Sequence, residues 1–205
     1  ATSEGIYVFT SIAPTVVVGN RVRVAATVKE FNVGTLTNSA TAANPLTELI
    51  NAAVTVVASG ITIAPTVITF PEINEGDLER YEGMLVRIEG PLTVGQNYFL
   101  GRFGQLTVSA GGRLEKPTNR YQAGSIDAIA MAADNARRRI LLDDGTSLQN
   151  PNPTPYLAAD NTVRAGDSID GITGVIDYGL ATSSNTGLGD FRIHPTAAPT
   201  FTRSN

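Results

Sequence analysis

The sequence predicts an all-β protein with one or two short helices, built as two related β-units, and three observations carry that expectation. The apolar residues are mostly Val, Ile and Ala beside abundant Thr, with 20 Gly and 11 Pro, a composition of many strands and many turns. Residues 19–31 (GNRVRVAATVKEF) alternate strictly. Val22, Val24, Ala26 and Val28 point one way and Arg21, Arg23, Thr27 and Lys29 the other, the period of a half-buried strand. A worn copy returns at residues 166–178 (GDSIDGITGVIDY), where the opening Gly-Asn becomes Gly-Asp, a pair suited to a tight turn. Overlaid without a gap, the two stretches also match at the fourth, tenth, twelfth and thirteenth places. Gly171 and Gly174 break the alternation in the second copy, which predicts a bulge or bend. The competing reading is that turn-plus-strand is a common phrase in any β protein.

Composition narrows the function classes. A chain of 205 residues can bury a core as one large β domain or two small ones. It has no cysteine, hence no disulfide framework and no thiolate metal site, and its single histidine, His194, leaves carboxylates as the main candidates for general bases. No apolar run approaches membrane-spanning length, and the opening ATSEG reads as a mature or truncated start. Lysine is scarce beside arginine while Thr, Asn, Ser, Ala and Gly are plentiful, a balance that fits a secreted bacterial protein. The net charge of −4 is uneven: residues 102–139 hold seven bases and three acids (+4), between flanks that each sum to −4. Such a basic middle is where an anion would land.

Taken in order, residues 5–10 (GIYVFT) read as a short strand, followed by the strand after Gly19 and a polar loop over 32–45. Residues 46–58 open with helix-compatible residues, but the β-branched run at 54–57 argues strand. Residues 61–70 are extended, with Pro65 confining them to an edge or splitting them. Residues 72–82 (EINEGDLERYE) are acidic and predict a short helix linking the units, which are thus placed at 1–71 and 83–205. In the second unit, Met84, Val86 and Ile88 alternate against Leu85, Arg87 and Glu89, and strands are expected over 83–94, 98–103 and 105–109. A helix follows near 125–137: Ser125 caps it, Asp127 sits in its first turn, and Ile126, Ile129, Ala130 and Ala133 form its apolar face. Strands at 139–142, after Gly166 and at 191–195 complete the unit. This order approaches that of an OB-fold, a small Greek-key barrel with one helix.

Four stretches carry a resemblance: TSEGIYVFT (2–10), VGNRVRVAATVKEF (18–31), LERYEGMLVRIEGPLTVGQNYFLGRFGQLTVSAGGRL (78–114) and NARRRILLDDG (135–145). Together they resemble the OB-like region that precedes the catalytic domain in large secreted bacterial nucleases of the endonuclease/exonuclease/phosphatase type. The resemblance implies two OB-like units, the first incomplete at its N-terminus. It also implies a non-catalytic, extracellular accessory region that binds DNA; the few arginines of the basic middle and its acidic flanks predict that such binding is weak and without marked sequence preference. It places the divalent metal in a downstream phosphodiesterase domain of the same polypeptide, with no cofactor in this chain.

The candidate nucleic-acid contacts are Tyr98, Arg102, Phe103, Arg113, Lys116, Arg120, Arg137 and Arg138, because single strands bind by stacking bases on aromatic rings while cations track phosphates. Strand alternation would set Tyr98 opposite Phe103; the rings could equally be core, with Arg102 at the rim. Arg137 and Arg138, with Arg139, could instead complement their helix end and pair with Asp143 and Asp144. Arg21, Arg23 and Lys29 read as a solvated strand face, Asp143, Asp144 and Asp167 as turn residues, and His194 has no identifiable partner. The rival function is a scaffold that orients the catalytic domain without nucleic-acid affinity.

Overall fold

A computed structural model of the chain describes residues 4–146, 148–180 and 189–204. The protein is all-β, with a three-stranded sheet, an eight-stranded sheet and a few short helices.

The smaller sheet holds β1 (Tyr7–Val8), β2 (Arg21–Phe31) and β3 (Leu46–Ala58) in the order β1-β3-β2. The β2–β3 connection carries a single helical turn, α1 (Ser39–Ala42), capped by the Asn38 side chain. The helix-compatible start of 46–58 is strand throughout, because Leu46–Ile50 pair antiparallel with β2. In the larger sheet the order is β4 (Thr66–Ile68), β5 (Leu85–Ile88), β10 (Ile172–Leu180), β11 (Gly189–Pro195), β8 (Arg139–Asp143), β7 (Gln105–Ala110), β6 (Leu92–Gln96), β9 (Ser168–Ile169). Pro65 stops the extended run short, and β4 lies at the sheet edge beside β5.

That order closes on itself. β5 and β6 are halves of one path separated by residues 89–91, and β9 and β10 are halves of another separated by 170–171. The paths run antiparallel through both halves, with Leu92 opposite Ile169 and Ile88 opposite Ile172, while β6 also pairs with β7. Five strand paths therefore form a ring, and β8 and β11 are parallel neighbours. This is the pairing order of an OB barrel. Gly171 sits where the paths bend: its φ is +91°, and a Cβ there would come within 2.7 Å of the Ile88 carbonyl oxygen. Inside the ring, Val86, Ile88, Leu92, Val94, Val108, Leu142, Ile176 and Ile193 are completely buried.

Two expected elements differ. Residues 98–103 are not a strand but a turn leading into α2 (Leu100–Phe103), closed by Gly104 in the left-handed region with φ +68°. With that strand gone, α3 (Ile126–Ala136) falls between the second and third strands of the barrel. Ser125 caps α3 as expected by accepting from the Ala128 N–H. Its expected core face is reversed, however: Ile126 and Ile129 are 85% and 62% exposed, and small Ala128 is the buried contact. The acidic linker contains a short 3-10 helix, Asp77–Tyr81, whose Leu78 N–H donates to buried Glu72.

The repeated turn is real. Asn20 N–H donates to the Val17 carbonyl while Val17 N–H donates to the Asn20 side chain, both at 3.0 Å. Asp167 and Arg164 make the same pair of bonds at 3.0 and 2.8 Å. Sheet order repeats as well: β1 parallel to β3 and β2 antiparallel to β3 reproduce β8, β11 and β10. Lys29 opposite Glu48 occupies the place of Asp177 opposite Arg192, the same cross-strand ion pair with its charges exchanged. Registering the copies this way requires one extra residue in the second, at Gly171, rather than a gapless overlay. Val28 then corresponds to Ile176.

Candidate nucleic-acid interface

Residues 97–104 join the first strand of the barrel to the second, a loop that contacts oligonucleotides in OB folds. The loop is pinned from both sides. Leu100 is buried in the core, Asn97 donates through Nδ2 to the Val163 carbonyl at 2.9 Å, and Asn150 N–H reaches the Arg102 carbonyl at 2.8 Å. Because the segment turns instead of extending, its rings gather rather than alternate. Tyr98 and Phe99 meet edge-to-face at 5.0 Å, Phe99 and Phe103 lie 5.8 Å apart, and the Arg102 guanidinium sits 5.1 Å from the Phe103 centroid. Tyr98 is 79% exposed, and Phe103 is half-buried. Arg102 makes no ion pair among the described residues, so its charge is available to a phosphate. The structure thus brings Tyr98, Arg102 and Phe103 together on a cationic aromatic ledge.

The other candidate cations are elsewhere. Arg113 and Lys116 follow the far end of β7, roughly 17 Å from the loop at about 3.4 Å per strand residue. Arg120 pairs with Glu115, and Arg137 and Arg138 both pair with Asp134 rather than with Asp143 or Asp144. Arg139 bonds Asp190 at 2.6 Å. The basic middle of the sequence is therefore split into two places and largely neutralised in one of them. Arg113 and Lys116 have no acidic partner among the described residues.

A second cluster was missed at the sequence level. On the outer face of β7, β8, β10 and β11, Asp143 is 2% exposed and accepts from Gln105 Nε2 at 2.6 Å and Gly145 N–H at 2.8 Å. Arg192 bonds Asp177 at 2.6 Å and reaches Asp143 at 3.6 Å. His194 Nε2 lies 3.5 Å from Asp143 and 3.7 Å from Asp177, close to both carboxylates without a hydrogen bond to either. Burial holds the His194 pKa below its ordinary value against the pull of Asp177, which keeps the ring neutral near pH 7. The signal for this cluster was alternation: Arg192 and His194 share one side of β11, and Asp143 ends β8 on the same face.

The cluster lines a cleft of about 1710 Å³ toward the three-stranded sheet, where Lys29 and Glu48 face it. Acids outnumber bases there: Glu48, Glu79, Glu82, Asp143 and Asp177 against Lys29, Arg80 and Arg192. Burial raises Glu82 to about 7. A phosphate chain finds little attraction in that cleft; Phe103, which also lines it, marks where the acidic and aromatic surfaces meet. Among the described residues no group of three or more His, Asp or Glu side chains is arranged to hold a metal ion, and no helix is long and apolar enough to cross a membrane.

The family model described as "Domain of unknown function (DUF8508)" matches residues 77–204, more than half of the chain. The chain belongs to that family. The matched segment starts at the 3-10 helix, takes in all five strand paths of the barrel and leaves out the three-stranded sheet. The aromatic loop and the His194 cluster therefore both fall within the family's segment. No curated protein and no solved structure matches the chain.

Proposed function

We propose that this chain is a non-catalytic accessory module that holds single-stranded DNA on the 97–104 loop. The observation that carries the reading is the ledge of Tyr98, Phe99 and Phe103 with unpaired Arg102, fixed by Leu100 at the loop position where OB barrels take oligonucleotides. Bases of a single strand can stack on exposed rings, whereas those of a duplex are already stacked inside it. The resemblance supplies the setting: a secreted bacterial nuclease whose downstream, metal-dependent phosphodiesterase domain receives the strand. Binding is weak and insensitive to sequence, because the contacts are stacking and phosphate alone.

Fluorescence anisotropy with labelled oligo-dT and with duplex of matching length tests this. Single strands are expected to bind more tightly than duplex. With one or two phosphate contacts, the log–log salt slope is about −1. Tyr98→Ala is expected to weaken single-strand binding roughly ten-fold, within the range of about 1–3 kcal/mol for a base–aromatic stack. Arg102→Ala should flatten the salt slope. The ion-pairing of Arg120, Arg137, Arg138 and Arg139 favours a second reading, a scaffold that orients a catalytic domain. Absence of binding to either DNA form at low salt would establish the scaffold in its place.

A further inference from the structure

The three-stranded sheet is an incomplete surface. Among the described residues β2 is an edge strand of 11 residues bonded only to β3, and every residue of it except Val24 is exposed. Its counterpart in the barrel, β10, is paired antiparallel on both sides, to β11 and to β5. The consequence is visible at matched positions: Val28 is 63% exposed, whereas Ile176 is completely buried. A long edge with an apolar face is a template for another strand, and proteins that leave one open either blunt it or use it. Here the blunting is partial: Arg21, Arg23 and Lys29 charge one face, and the pairing with β3 shifts register between Arg21 and Val22 and between Ala25 and Thr27, but the apolar face stays bare. Among the described residues no helix, loop or proline covers β2, and Val22, Val24, Ala26 and Val28 form its uncovered side.

Charge decides what fits. The other side of β2 carries Arg21, Arg23 and Lys29; Lys29 is held by Glu48 at 3.5 Å, whereas Arg21 and Arg23 meet no acid among the described residues. A second copy of β2 laid antiparallel about Ala26 would set Arg23 against Lys29, a like-charge pair on the same face, which disfavours self-pairing. We propose that the free edge of β2 is a docking strand for a partner protein, which adds an antiparallel strand alternating apolar with acidic residues. Main-chain bonds along β2 supply attachment, the apolar side chains cover Val22 to Val28, and carboxylates opposite Arg21 and Arg23 select the partner. The Lys29–Phe31 end of β2 shares the cleft with Phe103, whereas residues 21–28 do not line it, and the inference does not depend on DNA binding.

Hydrogen exchange on the full chain tests it, with two blocked peptides of about ten residues as probes, one of alternating valine and glutamate and one of valine and lysine. The glutamate peptide is expected to slow exchange across residues 21–31 by on the order of ten-fold, and the lysine peptide to leave it unchanged. The double variant R21E/R23E, altered only at exposed positions, is expected to reverse the preference. The proposal is overturned if neither peptide protects residues 21–31, or if the double variant keeps the original preference. It is equally overturned if those amides are already protected in a sedimenting dimer, since a second copy would then occupy the edge.

Discussion

Asn20 and Asp167 make the same turn in very different surroundings, and that contrast fixes what each is worth. Asp167 is 1% exposed; besides capping the Arg164 turn it accepts from Arg203, which also bonds Asp160 and the Thr162 carbonyl. Asp167→Ala leaves the Arg164 amide without its acceptor and takes one of two carboxylates from Arg203, and is expected to cost about 2 kcal/mol, whereas Asn20→Ala at an exposed turn should cost less than about 1 kcal/mol. Urea denaturation of the two variants measures both. Glu72 gives a pH signature. Burial raises its pKa to about 7 from 4.5, with the Leu78 N–H pulling the other way. A raised carboxyl favours the folded state while protonated, so its contribution is complete below about pH 4.5 and is lost as pH rises through about 7. Glu72→Gln should therefore reduce the loss of unfolding free energy between pH 5 and pH 8, by an amount on the order of 2 kcal/mol, read from urea denaturation at each pH. His194 works in the opposite sense: a lowered imidazole contributes above about pH 6.5 and loses that contribution on acidification, so wild type and variant must be compared at each pH. The Ser125 cap could be read from sequence because its bond partner is three residues away. The carboxylates beside His194 could not, because only strand pairing brings Asp143 and Asp177 near it.

At the scale of elements, chain reversals decide the outcome. The aromatic loop has the alternation of a short strand on paper, yet Leu100 and left-handed Gly104 close a helical turn and draw the rings to one place. The α3 helix is the converse case. Its periodicity located it within one residue at each end, but an amphipathic pattern does not say where the core lies, and Ile126 and Ile129 remain exposed. Ile129→Ser is accordingly expected to change stability by less than about 0.5 kcal/mol. The barrel's closure is more demanding. At Gly171 a methyl group would meet the Ile88 carbonyl at 2.7 Å, whereas at Gly76, with the same φ of +91°, a Cβ would meet nothing within 4 Å. Both alanine variants bear the left-handed penalty of about 1 kcal/mol, and only Gly171→Ala adds a backbone clash. Thermal unfolding should separate them by several degrees; equal losses would mean that the β5–β10 approach is not tight.

For the whole molecule, the sequence disclosed a repeat but not its register. The Gly-Asn and Gly-Asp turns recur with the same hydrogen bonds, and the strands beyond them occupy matching places once one residue is inserted at Gly171. The exchanged ion pairs, Lys29 with Glu48 and Asp177 with Arg192, lie across an acidic cleft that no local motif announces. Charge summed along the chain was a poor guide for the same reason. The +4 segment folds into places separated by the length of β7, and Asp134, Glu115 and Asp190 neutralise much of it. Among the described residues of that segment Arg102, Arg113 and Lys116 stay unpaired, and Arg102 is the one set beside aromatic rings. The most direct measurement is an amide chemical-shift titration of the full chain with oligo-dT at low salt. Shifts are expected to concentrate at residues 97–104, centred on Tyr98 and Arg102, with residues 113–138 and the cleft residues Asp143 and His194 nearly unmoved. Shifts that appear first at 113–138, or none anywhere at millimolar oligonucleotide, would contradict that expectation.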